Sequence, residues 1–382
     1  MSTGHGYSFA VKRPLVVAAA ALALATPSLA ALPQVHARAY LLEDGQTGQV
    51  LAQYRPHARV PIASITKLMT VLLTLEHTKP SDVVTVAPGA ARVGESSIEL
   101  RAGERITVRD LLEGALIQSA NDAADALAYY VGHGDEARFV AMMNARARQL
   151  GLRDTHYDRP DGLDAPGHVS SAHDVTLLAR MLMRRAIVRS IVRQQTAEIS
   201  GGRVLHTWND LLGTFPGVFG VKTGHTSAAG WNEVAALGRG GVIVYGTILG
   251  SPDRETRNED LTALLRWALM RYRRVPVVRP GHVYARVQVG YGHSPVALVP
   301  ARGLIRPVRI DQPVVQRIVA QAVATLPVRR GQPLGEIRVY QGPRLVARDA
   351  LVAERTVERP GVLGRAGFYA GRTVHHVWGW FS

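Results

Sequence analysis

The segment VPIASITKLMT, residues 60–70, lies where the chain changes from predicted strands to predicted helices. From Ser64 onward its apolar residues continue at helical spacing, and Pro61 restricts the backbone just ahead of them. Ser64 therefore stands at the start of a predicted helix, with Lys67 one turn further on. Side chains at positions i and i+3 share a helix face, so this serine and this lysine are predicted to touch.

Strands are predicted on both sides of the helical block that begins in this segment. Two short runs at 38–42 and 49–54 flank a glycine-containing turn and form a hairpin. Helices follow, and strands then return before a last helix: helices at 107–117, 121–131, 137–150, 172–185 and 256–272, strands at 218–223, 232–237 and 242–249. Strands joined by short turns pair antiparallel, so we expect an α+β fold with an antiparallel sheet flanked by a helical cluster.

The remaining sequence divides the chain into four predicted regions. Short β-rich runs separated by prolines indicate a small all-β domain after the helical and sheet region. The first 30 residues combine a basic pair, an apolar run and small residues before Ala31, which is typical of a cleaved secretory signal. An uncleaved membrane helix is less favoured because the apolar run is short. The predicted regions are a signal peptide at 1–30, a helical and sheet domain at 31–275, a β-rich domain at 276–360 and a tail at 361–382.

The tail carries three apolar residues that would share one face of a helix. Val374, Trp378 and Phe381 fall at i, i+4 and i+7, which predicts a small amphipathic membrane anchor. The alternative is a frayed tail or a strand that packs against the β-rich domain. The net charge of +15 at pH 7 favours anionic lipid or cell-wall polymers as partners. Nucleic acid is disfavoured because the arginines are scattered and are not interleaved with aromatic residues.

Lysine is rare in this chain and stands where arginine could not replace it. Beyond residue 30 there are three lysines and forty arginines, and two of the lysines are Lys67 and Lys222. A lysine amine can lose its proton when desolvated, whereas a guanidinium remains charged and cannot act as a base. The simpler interpretation is that Lys67 begins an amphipathic helix and Lys222 caps a strand.

A serine becomes a nucleophile only when a base stands beside it. Lys67 can be the base for Ser64 if its pKa is lowered by desolvation or by a second cation, for which Lys222 is a candidate. Between them in the chain, Ser119 can relay a proton and Asn121 can hydrogen-bond a substrate amide. The pattern therefore predicts acyl transfer through a serine ester.

The segment KTGHT, residues 222–226, contributes the third group of candidate residues. Gly224 lets a substrate backbone approach closely, and the hydroxyls of Thr223 and Thr226 can bind a terminal carboxylate beside Lys222. The backbone N–H groups of Ser64 and His225 are candidate donors to an oxyanion.

Each motif is weak alone, but their order along the chain is specific. Residues 60–70, 118–124 and 220–226 together resemble the D-alanyl-D-alanine carboxypeptidases, the low-molecular-mass penicillin-binding proteins. The resemblance covers nearly all of residues 36–270 and, more loosely, the β-rich domain and the tail. It implies a β-lactamase/transpeptidase-like fold, and an exported enzyme that acts on peptidoglycan stem peptides, is acylated by β-lactams and needs no metal or organic cofactor.

Roles for individual residues also follow from the resemblance. It implies that Ser64 is the acylated nucleophile, Lys67 the general base and Ser119 a proton shuttle. Substrate would be bound by the remaining motif residues: Asn121, Lys222, Thr223, Gly224, His225 and Thr226. The resemblance further implies a periplasmic or other extracytoplasmic location, peripheral on the outer side of the cytoplasmic membrane if the tail anchors there.

Two departures from the family pattern concern the substrate carboxylate. Trp208 stands where relatives often carry an arginine upstream of the third motif, and residues 250–252 lack another expected arginine. Arg254 or Arg257 could substitute. We do not expect His206, His225 or the pair at 375–376 to bind a metal, because no spaced carboxylate or cysteine accompanies them.

Three other functions use the same serine. A β-lactamase would need a carboxylate to hydrolyse the penicilloyl ester, and neither Glu136 nor Glu198 has an asparagine four residues on, as the class A deacylation motif does. A cell-wall or β-lactam-binding module would turn over little or not at all. A D,D-endopeptidase would cleave cross-bridges instead of terminal residues.

Overall fold

The computed structural model describes residues 31–363 and the backbone of the strand Leu15–Leu22. The described residues form two compact units that divide between Met270 and Arg271. One unit contains residues 31–270, and the other contains residues 271–363 with Leu15–Leu22. The boundary predicted at 275/276 falls inside the strand Tyr272–Val278, whose first residues carry no turn signal.

The helices of the described chain all lie in the first unit, apart from a short helical stretch at 362–363. They alternate with 3₁₀ turns at Ala63–Thr66 and Ala90–Arg92 and a π turn at Gly114–Gln118. In chain order they are α1 Lys67–His77, α2 Val108–Glu113, α3 Asn121–Val131, α4 Glu136–Gln149, α5 Ala172–Leu182, α6 Ala186–Val192 and α7 Arg254–Met270.

The strands are numbered along the whole described chain. They are β1 Leu15–Leu22, β2 Ala39–Asp44, β3 Val50–Tyr54, β4 Val83–Thr85, β5 Arg105–Thr107, β6 Thr196–Ile199, β7 Arg203–His206, β8 Val218–Thr226, β9 Gly230–Arg239, β10 Val242–Ser251, β11 Tyr272–Val278, β12 Ala285–Val289, β13 Val296–Pro300, β14 Leu304–Arg309, β15 Val314–Gln321, β16 Val323–Ala324, β17 Pro333–Gln341 and β18 Arg344–Ala353.

The first unit is built on a five-stranded antiparallel sheet in the order β3-β2-β10-β9-β8. Two neighbouring residues of β10 show what covers its faces. A Cβ on Gly246 would lie 3.1 Å from Leu261 of α7, whereas the hydroxyl of Thr247 lies 2.6 Å from that of Thr176 in α5. Successive strand residues point to opposite faces, so α5 and α7 cover opposite sides of the sheet.

Helix α1 runs through the interior of the helical cluster. Every residue from Lys67 to Thr74 is buried, including Leu68, Val71 and Leu72, which have no exposed surface. A helix that is apolar on most sides is stable only inside a core. Because α1 is fixed in this way, the turn that precedes it is held rigidly against β8.

The second unit contains a sheet in the order β1-β15-β17-β18-β13-β12-β16 and the separate pair β11-β14. β1 pairs antiparallel with β15, with Leu15 opposite Gln321 and Leu22 opposite Val314. The predicted signal peptide therefore includes a strand, while the rest of residues 1–30 lies outside the described residues. The predicted anchor also lies outside them from residue 364 onward. No helix within the described residues combines the length and apolarity needed to span a bilayer.

The α+β fold class is confirmed, with the predicted hairpin, helical block and sheet in their predicted order. The single predicted helix at 107–117 is wrong in detail, because it divides into α2 and the π turn Gly114–Gln118. Helix α6 and the antiparallel strand pairs β4–β5 and β6–β7 were not predicted. Each of these strands has only three or four residues, which is too few for an alternating pattern to be recognised.

Candidate active site

Ser64 lies in the 3₁₀ turn Ala63–Thr66, which leads directly into α1. Ala63 has a left-handed φ of 51°, a conformation that costs energy for a residue with a Cβ and is often kept at functional sites. The turn places Ser64 Oγ 2.8 Å from the Nζ atom of Lys67. The contact expected from their spacing is therefore present, between a partly exposed serine and a fully buried lysine.

Three oxygen atoms surround the Lys67 side chain. Besides Ser64 Oγ, Nζ lies 2.7 Å from Asn121 Oδ1 and 2.6 Å from the backbone oxygen of Asp161. A neutral amine has two hydrogens and one lone pair. It can donate to Asn121 and Asp161 and still accept the proton of Ser64, which is the geometry required of a general base.

Burial brings both lysines toward their neutral forms. It lowers the pKa of Lys67 to about 8, although the negative charges of Asp161 and Asp125 oppose the change. Burial also lowers the pKa of Lys222 well below its ordinary value, and the positive charge of Lys67 adds to that effect. Desolvation is thus the larger of the two causes that the sequence suggested.

Lys222 connects the segment 222–226, to which it belongs, with Ser119 through a hydrogen bond. It lies in β8 with 2% of its surface exposed, and Nζ donates to Ser119 Oγ at 2.8 Å and to the Thr223 carbonyl at 2.7 Å. Ser119 has a left-handed φ of 63° where the π turn meets α3. The adjoining α3 begins at Asn121, whose amide bridges Lys67 and the Gly94 carbonyl.

Gly224 allows β8 to pass close to the nucleophile turn. A Cβ at this position would lie 2.9 Å from the Ile62 carbonyl oxygen and 3.0 Å from the Ser64 nitrogen. Both are backbone atoms, which cannot move aside cheaply. The sequence suggested that Gly224 makes room for a substrate backbone, and the structure shows the turn bearing Ser64 in that space. Gly224 therefore brings β8, which carries the His225 N–H, close to the turn that carries Ser64.

A cavity of about 290 Å³ opens above these groups. Its lining joins residues from all three motifs to a wall of aromatic and arginine side chains: Ser64, Glu95, Ser96, Ser119, Asn121, Trp208, Thr223, Gly224, His225, Trp231, Arg254 and Arg257. The two lysines lie behind this lining, where Lys67 contacts Ser64 and Asn121 and Lys222 contacts Ser119 and Thr223.

Thr226 differs from the role expected of it. Its hydroxyl donates to Asp164 Oδ1 at 2.6 Å and accepts from the Ala229 N–H, so both functions of the group are already used. Alternate residues of a strand point to opposite faces. Thr223 and His225 line the cavity, whereas the Thr226 side chain secures the neighbouring loop.

Two arginines, Arg254 and Arg257, form part of the cavity wall. Arg254 donates to Asp210 with its Nε at 2.7 Å and lies over the Trp208 ring, 5.6 Å from its centroid. Arg257 is buried between Asp210, at 2.9 Å, and Glu233, at 3.2 Å. Burial raises the pKa of Glu233 to about 7, so this carboxyl group neutralises Arg257 only in part near neutrality.

Comparison with known proteins identifies the family. The sequence profile of Peptidase_S11, described as D-alanyl-D-alanine carboxypeptidase, matches residues 26–252. The chain belongs to this family. It is accordingly a serine-type D-Ala-D-Ala carboxypeptidase, a hydrolase of the penicillin-binding group.

Individual relatives of this carboxypeptidase match over most of its length. The D-alanyl-D-alanine carboxypeptidase DacD of Salmonella typhimurium is 31% identical, over 94% of this chain and 98% of its own. Penicillin binding protein 6B from Escherichia coli has a structure that superposes with a TM-score of 0.62 at 30% identity, over 87% of this chain and 99% of its own. Penicillin binding protein 5 from Haemophilus influenzae gives a TM-score of 0.62 at 27% identity, over 86% and 100%.

Several cavity residues of the carboxypeptidase were not found from its sequence. Trp231 stacks on His225 with the ring centroids 4.1 Å apart, and Asp210 holds both arginines. Glu95 contributes an exposed carboxylate. These residues come together through strand pairing and loop packing. The only sequence signal near them was the pair Arg254 and Arg257, named as possible carboxylate ligands.

Proposed function

We propose that the enzyme removes the terminal D-alanine from peptidoglycan stem peptides outside the cytoplasm, through an acyl-enzyme on Ser64. The observation that carries this proposal is the 2.8 Å contact between Ser64 Oγ and a buried Lys67 whose pKa is lowered to about 8. An amine so placed can accept the serine proton near neutral pH.

Acylation uses the groups around Ser64. Lys67 accepts the proton of the Ser64 hydroxyl while Oγ attacks the carbonyl carbon of the penultimate D-alanine. The N–H groups of Ser64 and His225 donate to the oxygen that becomes negative. When the C–N bond breaks, the proton that Lys67 took from Ser64 passes through the Ser119 hydroxyl, which Lys222 holds, to the departing amine, and Lys67 becomes neutral again.

Deacylation repeats the same proton transfers with water as the nucleophile. Lys67 accepts a proton from water, whose oxygen attacks the ester carbonyl, and Ser64 recovers its proton as the ester bond breaks. The products are D-alanine and a stem peptide shortened by one residue. The proposed steps use only groups of this chain and water.

We place the substrate backbone along β8. This strand lies at the end of its sheet and pairs only with β9 among the described strands. An open strand edge offers unpaired N–H and C=O groups to an extended peptide. A peptide lying there would pass Thr223 and His225, which line the cavity, and reach Ser64 with its carboxyl end.

Carboxylate recognition is assigned to Thr223 together with Arg254. Arg254 is 40% exposed and lines the cavity, whereas Arg257 is 1% exposed and held between two carboxyl groups. The more accessible guanidinium is better able to receive an incoming carboxylate, because its remaining N–H groups can form charge-assisted hydrogen bonds.

The proposal is tested by D-alanine release from a synthetic peptide ending in D-Ala-D-Ala. Ser64→Ala should abolish release, while Ser190→Ala, which changes an exposed helix residue, should not. Release by Ser64→Ala at the wild-type rate would overturn the assignment. A cross-linked peptide dimer tested in parallel separates carboxypeptidase from endopeptidase action, since only the latter yields monomers.

A second assay, with a chromogenic cephalosporin as the substrate, measures how fast the β-lactam ester on Ser64 is hydrolysed. We expect one rapid equivalent of colour followed by slow turnover, because neither Glu136 nor Glu198 lines the cavity. Glu95 is the cavity carboxylate, and Glu95→Gln should leave the slow phase unchanged. Sustained turnover at many cycles per second would instead identify a β-lactamase.

A further inference from the structure

Two histidines and an aspartate from three separate segments converge on one surface of the catalytic unit. His57 precedes the nucleophile turn, Asp154 follows α4, and His173 lies in the first turn of α5. One ligand atom from each residue lies within 4.8 Å of those from the other two. The imidazole rings are 4.6 Å apart, and His57 Nδ1 is 2.9 Å from Asp154 Oδ2.

The surrounding residues orient both the imidazole of His173 and the carboxylate of Asp154. His173 Nδ1 lies 3.0 Å from the buried carboxylate of Asp174, which orients the ring. Ser171 donates to Asp154 Oδ2 at 3.0 Å. Metal-binding histidines usually donate their second ring nitrogen to a carboxylate in this way.

The backbone also holds the three segments in place. The His173 N–H donates to the Pro56 carbonyl at 2.9 Å, and the Asp154 N–H donates to Asp174 Oδ2 at 2.8 Å. The ligand-bearing segments therefore need little rearrangement to act together. Their side chains are partly open to solvent, with 64% of His57, 20% of Asp154 and 39% of His173 exposed.

The three ligand atoms lie close enough together for one zinc ion to reach them after small side-chain movements. With Zn–N bonds of about 2.0–2.1 Å, neighbouring ligand atoms of a tetrahedral site lie about 3.3 Å apart. The 2.9 Å separation of His57 Nδ1 and Asp154 Oδ2 is close to that value. Two imidazoles and a carboxylate form a donor set that zinc accepts, with water as the fourth ligand.

We propose that His57, Asp154 and His173 form a zinc site that fastens the segment leading to the nucleophile onto α5. The site is separate from the chemistry of Ser64, and its role is structural. The antiparallel bridge between Val60 and Ser170 lies between the proposed zinc site and the nucleophile turn, so the metal would reinforce an existing connection.

Zinc retention by the full-length protein tests this site directly. The protein is loaded with zinc chloride and dialysed, and bound zinc is measured by mass spectrometry. Both tail histidines, His375 and His376, are replaced by glutamine in every sample so that the tail cannot contribute. We expect one zinc per chain, and a midpoint of thermal unfolding raised by about 5–10 °C at a hundredfold excess over the dissociation constant.

Single substitutions assign the ligands. His57→Gln and His173→Gln should each lose the bound zinc and the thermal shift. The matched control is His156→Gln, which removes another surface histidine paired with a carboxylate, Asp158, at 3.4 Å. His57→Gln should remain folded because its side chain is largely exposed. Zinc retained equally by wild type and His57→Gln, or no zinc retained by wild type, would overturn the proposal.

Discussion

The cationic side chains at the floor of the cavity, Lys67 and Lys222, and at its wall, Arg254, differ in how readily they lose their charge. At the floor, Lys67 and Lys222 are almost completely buried, and desolvation lowers the pKa of each. At the wall, Arg254 is 40% exposed and stays charged, held between Asp210 and the Trp208 ring. The comparison explains why so arginine-rich a chain keeps lysine at the floor: proton transfer needs an amine that can become neutral, and anion binding needs a cation that cannot.

The largest effect should come from removing the amine at the floor. Lys67→Met keeps a similar volume but has no base, and we expect the rate of Ser64 acylation to fall by about 10²–10⁴-fold. Stopped-flow acylation by a chromogenic cephalosporin measures the rate, with circular dichroism as the check on folding. Acylation within threefold of wild type would mean that another group accepts the serine proton.

The pH dependence should be the next largest effect. Lys67 acts as a base only when neutral, so kcat/KM for D-alanine release should rise about tenfold per pH unit below a pKa of about 8 and level off above it. The arginine wall keeps its charge throughout, so Arg254→Ala should lower the curve without moving its midpoint. A profile that is flat between pH 6 and 9 would contradict the role of Lys67.

The variant Gly224→Ala tests whether catalysis depends on the close approach of β8 to the turn that carries Ser64. The new Cβ would meet backbone atoms of Ile62 and Ser64 at 2.9–3.0 Å and displace the nucleophile turn. We expect acylation to slow by about tenfold to a hundredfold, since small misplacements of reacting groups are costly. Gly290→Ala is the control, because its Cβ would enter open space. Equal rates in both variants would show that the turn can move aside.

The smallest effect should come from the wall. Arg254→Ala should raise KM for the peptide about fivefold to tenfold, as expected for one partly exposed charge-assisted hydrogen bond. A peptide with an amidated carboxyl end should be insensitive to the change. Arg239→Ala removes an exposed arginine at the end of β9 and serves as the control. An equal increase in KM for both peptides would move carboxylate recognition away from Arg254.

The same comparison separates what the sequence could predict from what it could not. The contact between Ser64 and Lys67 follows from helical spacing. The order of the three motifs along the chain suggested that Lys222 lies in the same site. The neighbours of Trp231 and Asp210 depend on the pairing of β8 with β9 and on a loop that packs against α7, which no local pattern encodes. Thr226 looked equivalent to Thr223 in sequence. In the folded strand Thr223 lines the cavity, whereas the Thr226 hydroxyl bonds to Asp164.

The zinc ligands escaped prediction for a similar reason. His57 and His173 stand 116 positions apart in the sequence, with Asp154 between them, and none belongs to a recognisable metal-binding spacing. Their proximity comes from the backbone link between the loop before Ser64 and the start of α5. Polar clusters assembled by such tertiary contacts become visible only in the folded chain.

The pairing of β1 with β15 has a consequence for the predicted cleavage of the signal peptide. Should the signal peptide be removed, Val314–Gln321 would become the outermost strand of its sheet and would lose a partner along eight residues. Such an uncovered edge can recruit strands from other molecules and start aggregation. Arg317 stands in the middle of this strand with its side chain exposed, and a charge at that position opposes edge-to-edge association. If the leader is cleaved as predicted, its removal and the solubility of the remaining chain are linked through a single strand.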